Sequence, residues 1–100
     1  MDREFYTGFI RLHILHHANE GPIYGFWIIR ELNRHGYEIS PGTLYPILHR
    51  MEERGYLVSK KECIRGKIRR VYEITQSGRE VLQSSKGKIR ELFSELIENL

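Results

Sequence analysis

The side chains able to do chemistry in this chain are five histidines, one cysteine, and a group of hydroxyl, phenol and guanidinium side chains between residues 40 and 50. His13, His16 and His17 fall within five residues, and His13 and His17 have the i,i+4 spacing that shares a helix face; His35 and His49 stand alone in sequence. A structural zinc site takes about four ligands and a catalytic one about three plus water. One i,i+4 pair supplies half a site, so no metal and no cofactor is assigned, and these histidines read as helix side chains near a subunit contact. Cys63 sits between Lys61, Glu62 and Arg65, where cationic neighbours favour a thiolate. As the single cysteine it makes no intrachain disulfide, and it reads as an exposed thiol. No GxSxG elbow, GxGxxG or GxxxxGK[ST] loop and no compact carboxylate constellation occurs, so catalysis is not expected.

What remains is recognition, and it centres on SPGTLYPILHRMEERGY, residues 40 to 56. Leu44, Ile47, Leu48 and Met51 recur at helical spacing and form one inward stripe. Ser40, Thr43, Tyr45, His49 and Arg50 are left to face outward, as donors and acceptors for base edges or phosphates in a major groove. Ser40 with Pro41 at the first helical position, or Thr43 with Pro46 in the first turn, can start the helix. With Ser40 as the cap, Pro46 forfeits one internal hydrogen bond and bends the helix slightly. Gly55 fits the left-handed residue that ends it.

The elements around this helix follow from periodicity. Tyr6 to His17 reads as a helix with apolar groups on two sides, Phe9, Leu12 and Leu15 not sharing one narrow stripe with Ile10 and Ile14. Gly21-Pro22 breaks it, and a second helix runs from Gly25 to Arg34, stopped by Gly36. A few residues then separate it from the central helix, the spacing of a helix-turn-helix. Beyond Tyr56, residues 56–60 and 68–75 favour strand, with Gly66 as the turn residue, giving a two-stranded ribbon. From Gln76 the helical period returns, with Thr75 or Ser77 as cap. Leu82, Ile89 and Leu96 repeat every seven residues, and Leu92, Phe93, Ile97 and Leu100 widen the stripe. Such a helix spans roughly 35 Å and outgrows a small domain, so its stripe calls for a partner. The expected architecture is mainly α with a small β-wing, a winged helix-turn-helix with a long C-terminal dimerisation helix. Residues 1–75 form the DNA-binding domain with its N-terminal helix, and 76–100 the dimerisation helix.

Charge placement supports a polyanionic partner. Residues 54–73 carry seven positive side chains against two negative, whereas residues 1–53 carry five against seven. The overall charge is only +3, so the basicity is a patch, set on Lys60, Lys61, Arg65, Lys67, Arg69 and Arg70 of the ribbon. With 40% hydrophobic residues and three prolines the chain reads as one ordered domain, and with no long apolar run or signal-peptide pattern it is expected in the cytoplasm, away from membranes.

The stretches YGFWIIRELNRHGYEISPGTLYPILHRMEERGYL and GKIRRVYEITQSGREVL resemble the PadR family of bacterial winged helix-turn-helix transcriptional regulators, across most of residues 24–82. The resemblance implies a homodimer whose C-terminal helix crosses to the other subunit and packs with its N-terminal helix. It also implies repression through inverted-repeat DNA. Ser40, Thr43 and Tyr45 then belong to the DNA-reading segment, and the basic ribbon meets phosphates. Phe9, Leu12, Leu82, Ile89, Leu92, Phe93, Leu96 and Ile97 are the expected dimer contacts. Some relatives respond to phenolic acids or flat cationic drugs, one group through a tryptophan in the terminal helix. Here no tryptophan follows Trp27 and Phe93 is the terminal helix's single aromatic, a departure from that group's mechanism; Trp27, near Tyr24 and Phe26, and Phe93 are the candidate contacts for a small aromatic effector. The expected function is sequence-specific transcriptional regulation. The alternative is a protein-interaction module that uses the terminal amphipathic helix and binds DNA weakly or without specificity.

Overall fold

The structure is a computed structural model and describes residues 2–98. Helix α1 (Arg3–Glu20) is followed by strand β1 (Ile23–Tyr24), helices α2 (Gly25–Arg34) and α3 (Pro41–Glu53), strands β2 (Leu57–Ile64) and β3 (Lys67–Ile74), and helix α4 (Gln76–Phe93), which passes into a π-helical segment, Ser94–Glu98. Winged helix-turn-helix with a long terminal helix is the observed architecture. Leu100, expected in the terminal stripe, lies outside the described residues.

The helix boundaries have local causes. Asp2 caps α1, its carboxylate accepting from the Glu4 amide at 2.7 Å. Gly36, at φ 90°, closes α2: the Tyr37 amide donates to the Leu32 carbonyl and the Gly36 amide to Asn33, both at 3.0 Å. Gly55, at φ 81°, closes α3 in the same way, with Tyr56 donating to Met51 and Gly55 to Glu52. Both are Schellman motifs, which need a residue at positive φ where glycine meets no Cβ clash.

One core joins the elements. Ile10, Ile14 and Leu15 of α1 meet Ile28 and Leu32 of α2, Leu44, Leu48 and Met51 of α3, Leu57, Tyr72 and Leu82. Leu44 and Leu48 are fully buried, each contributing about 1.5–3 kcal/mol by removal from water. Thus the stripe read from the sequence seats α3 and fixes which side faces outward.

The ribbon is larger than expected. β2 and β3 pair antiparallel from Leu57↔Ile74 to Ile64↔Lys67, so residues 61–64 extend the strand. Arg65 and Gly66 alone make the turn, both at positive φ, as a two-residue hairpin turn requires. β1 adds a third strand through Ile23↔Tyr72 and Tyr24↔Val71, in the order β1-β3-β2. Two residues after a Gly-Pro break carry too little alternation to announce a strand, which is why a two-stranded ribbon was expected.

α4 starts inside the body and leaves it. Thr75 caps it, accepting from the Gly78 amide at 3.0 Å, while its own hydroxyl donates to the Gly55 carbonyl at 2.6 Å. Gly78 lies so close to the Tyr56 carbonyl that a Cβ there would collide with it. Leu82 is the last buried residue of the helix, and the molecule extends to 54 Å in its longest dimension.

Candidate nucleic-acid interface

Two hydroxyls open the outward face of α3. Ser40 is the N-cap, but its backbone carbonyl does the work, accepting from the Thr43 and Leu44 amides at 3.1 and 2.9 Å. Neither expected side-chain cap forms. The Ser40 and Thr43 hydroxyls instead lie 3.3 Å apart on an exposed surface. Pro46 sits inside the helix without an amide to offer the Gly42 carbonyl, and both residues are exposed, so that carbonyl is left to solvent.

Tyr45 is less free than its position in the sequence suggests. Its ring packs on the start of α2, where a Cβ on Gly25 would come within 2.6 Å of the Tyr45 ring and hydroxyl oxygen. The ring borders a small cavity with Phe26, Ile68 and Arg70, so it links α3, α2 and the wing while remaining 43% exposed. His49 lies 3.7 Å from the Glu53 carboxylate. Arg50 has no carboxylate within 4.0 Å among the described residues. It lines a groove between α1 and α3 with Arg3, Thr7, Arg11 and Thr43.

A short polar chain fixes the wing to α3. The Glu52 carboxylate accepts from the Ser59 amide at 3.0 Å and from the Ser59 hydroxyl at 2.8 Å, and Arg70 donates to that hydroxyl at 2.9 Å. Tyr24 donates to Glu62 at 3.2 Å, and burial followed by that carboxylate holds its phenol above the ordinary range. Lys60 is engaged within the protein, 3.5 Å from Glu73 and 3.8 Å from Glu62. Lys61, Arg65, Lys67 and Arg69 are exposed and have no carboxylate within 4.0 Å among the described residues. The wing cations therefore divide into two anchored groups, Lys60 and Arg70, and four unneutralised ones at and near its tip.

Residues 14–84, which carry this helix face and the basic wing fixed beside it, match the family described as "Transcriptional regulator PadR-like family". The chain belongs to the PadR-like family. It is 48% identical over 95 residues to the transcriptional regulator Rv3488 of Mycobacterium tuberculosis (strain ATCC 25618 / H37Rv), an alignment covering 95% of this chain and 89% of that protein. A PadR family transcriptional regulator from Eggerthella lenta DSM 2243 superposes with a TM-score of 0.80 at 30% identity, over 93% of this chain and 82% of that one. A transcriptional regulator from Clostridium thermocellum superposes with a TM-score of 0.78 at 28% identity, over 97% of each chain. This PadR-like chain is a transcriptional regulator.

The residues expected at a PadR dimer contact divide by depth. Leu82 is 4% exposed and packed in the chain's own core, so it is unavailable to a partner; the seven-residue repeat runs straight across the point where α4 leaves the body. Leu12 is half-buried. Phe9, Ile89, Leu92, Phe93, Leu96 and Ile97 are exposed, at 46% to 69%. The two aromatics expected to meet an effector are placed separately. Trp27 lines a cavity with His17 and residues 20–24, whereas Phe93 closes the outer end of α4.

Sequence reasoning missed Arg3, Thr7 and Arg11. Their spacing of four puts them on one helix face, which was legible. Their convergence with Arg50 depends on how α1 crosses α3 and was not.

Proposed function

We propose that this PadR-like regulator is a DNA-binding homodimer that represses transcription from an inverted-repeat operator, acting in the cytoplasm by binding rather than by catalysis. Ser40, Thr43, Tyr45 and Arg50 enter the major groove, His49 lies at its margin, and Lys61, Arg65, Lys67 and Arg69 follow the phosphates. Arg3 and Arg11 extend the backbone contact beyond α3. The observation that carries this reading is the union of an exposed hydroxyl-and-guanidinium face on α3 with four unneutralised wing cations, held together through Glu52 and Ser59. Residues 1–75 form the reading unit and residues 76–100 the pairing helix. Pairing is supported by the exposed strip from Ile89 to Ile97 and by exposed Phe9 on α1. A symmetric pair places two reading helices about 34–36 Å apart, one turn of duplex. Release by a small aromatic effector acts through differential affinity for a DNA-competent and an incompetent dimer. Trp27 and Phe93 are its candidate contacts.

The test is a titration of operator and scrambled duplexes across salt. Replacing Lys67 and Arg69 by alanine is expected to weaken binding to both duplexes and to lower the salt slope by about 2. Thr43→Ala is expected to lower discrimination between them by about 1–3 kcal/mol. Equal affinity for both duplexes in the parent protein, with α4 still self-associating, points instead to a protein-interaction module.

A further inference from the structure

Where α1 meets the end of α2, three imidazoles come together. His13 and His17 project from α1 and His35 from the C-cap of α2, and their ligand nitrogens lie within 4.8 Å of one another. His17 is only 9% exposed, and its Nε2 is buried without a hydrogen-bond partner among the described residues. Its other nitrogen, Nδ1, lies 3.6 Å from the Glu20 carboxylate. A histidine that ligates a metal ordinarily directs its second nitrogen at a carboxylate, which sets the tautomer and leaves the first as a lone pair. A buried nitrogen with nothing to bind costs free energy, so the arrangement has an incentive to acquire a ligand.

We propose that His13, His17 and His35 form a binding site for a divalent transition-metal ion of the zinc class, with Glu20 as the carboxylate that orients His17. Three imidazole nitrogens with one further position suit Zn(II) and Co(II) over the hard cations that prefer oxygen. Glu31 supplies charge at the same place, its carboxylate 3.4 Å from His35 Nε2. The Arg34 guanidinium also lies 3.4 Å from that nitrogen and donates to Glu31 at 2.5 Å. Arg34 is 67% exposed, which leaves it solvent to turn into, away from a bound dication. The ring planes lie 16° to 32° from one another, with centroids 5.1 to 6.2 Å apart. Ligation requires the side chains to rotate so that their in-plane lone pairs converge at the roughly 2.0–2.1 Å that zinc takes.

A second group, His16, His17 and Glu20, shares His17 but offers two exposed residues and would draw on the nitrogen that faces Glu20. The partnerless nitrogen favours the inner group. A bound ion there ties α1 to α2, the helix that carries Trp27, whose ring meets His17 edge-on at 5.4 Å. Since Trp27 is the single tryptophan, its emission reports the site.

The experiment titrates Co(II), then Zn(II), into the full-length protein purified without a histidine tag. Expected results are one Co(II) per chain with the visible bands of four-coordinate nitrogen ligation, displacement by Zn(II), a change in Trp27 emission, and a higher melting temperature with Zn(II). His35→Ala, at an exposed position that leaves the core intact, is expected to weaken binding at least about tenfold, the loss that even an outer partner of a ligand causes. His13→Gln should do the same, and His16→Ala should leave affinity unchanged. Absence of stoichiometric binding overturns the site. So does unchanged affinity in His35→Ala, or a loss in His16→Ala as large as in His35→Ala.

Discussion

Ser59 donates both its amide and its hydroxyl to the carboxylate of Glu52, so the last turn of α3 holds the first strand of the wing by two bonds to one side chain. Arg70 donates to the same hydroxyl. Glu52 lies at the junction of the reading helix and the wing, where a carboxylate would be unwelcome to phosphates were it not already engaged. Its part is to set the angle between helix and wing.

Glu52→Ala is therefore expected to lower stability by about 1.5–3 kcal/mol, the range for hydrogen bonds to a charged group. It removes a negative charge from the DNA face, which on electrostatics alone would tighten binding. Looser positioning of the wing should outweigh that gain, giving weaker operator binding in a titration. Tighter operator binding would show that the helix–wing angle is immaterial.

Gly25 and Tyr45 form the second constraint on α3. Gly25→Ala puts a methyl group 2.6 Å from the Tyr45 ring, and overpacking of this kind costs about 1–3 kcal/mol. Tyr45→Ala in the same chain should restore most of that loss, because the two side chains contend for one space. Thermal unfolding of the two single variants and the double variant measures the coupling. Additive losses would exclude the contact.

The α4 repeat should divide sharply on mutation. Leu82→Ala is expected to cost about 2–5 kcal/mol of stability through a core cavity. Leu96→Glu should leave the fold intact and yield monomers in sedimentation at micromolar protein. A Leu96→Glu dimer as tight as the parent would remove this part of α4 from the pairing surface.

Acidification should destabilise the metal-free protein through His13 and His17. Both are held below the ordinary 6.5: His13 by burial and then by His35, His17 and His16, offset by Glu31, and His17 by burial and then by His16 and His35, offset by Glu31 and Glu20. The unfolded chain thus binds more protons, and stability rises with pH in that window. It is complete above about pH 6.5 and falls as pH drops below 6.5 toward the lowered folded values. Denaturant midpoints at pH 7.5 and 5.5, repeated for a His17→Gln variant, should show a smaller pH dependence in the variant.

Much of this was readable before folding, because it depends on near neighbours. The Leu44, Leu48 and Met51 stripe, the stops at Gly36 and Gly55, and the turn at Gly66 each require only a few adjacent residues. What was hidden depends on residues far apart in the chain. Gly25 owes its identity to Tyr45, and Gly78 to the carbonyl of Tyr56. His35 joins His13 and His17 across an intervening strand and helix. Lys60 reads as a phosphate contact until its pairing with Glu73 on the next strand is known. Leu82 belongs to the same repeat as Leu96, and only the point at which α4 leaves the body separates their roles.

That departure point is also a joint without slack. Thr75 bonds to the carbonyl of Gly55, and Gly78 presses on Tyr56, so the base of α4 is fastened to the end of α3. A rod about 35 Å long that tilts by about 6° moves its tip by roughly 3–4 Å, close to the rise of one base pair. In the proposed dimer α4 is thus a lever arm. A few degrees of change in how two copies cross alters the spacing of the reading helices by a whole step of the duplex, and an operator in register with one crossing is out of register with the next.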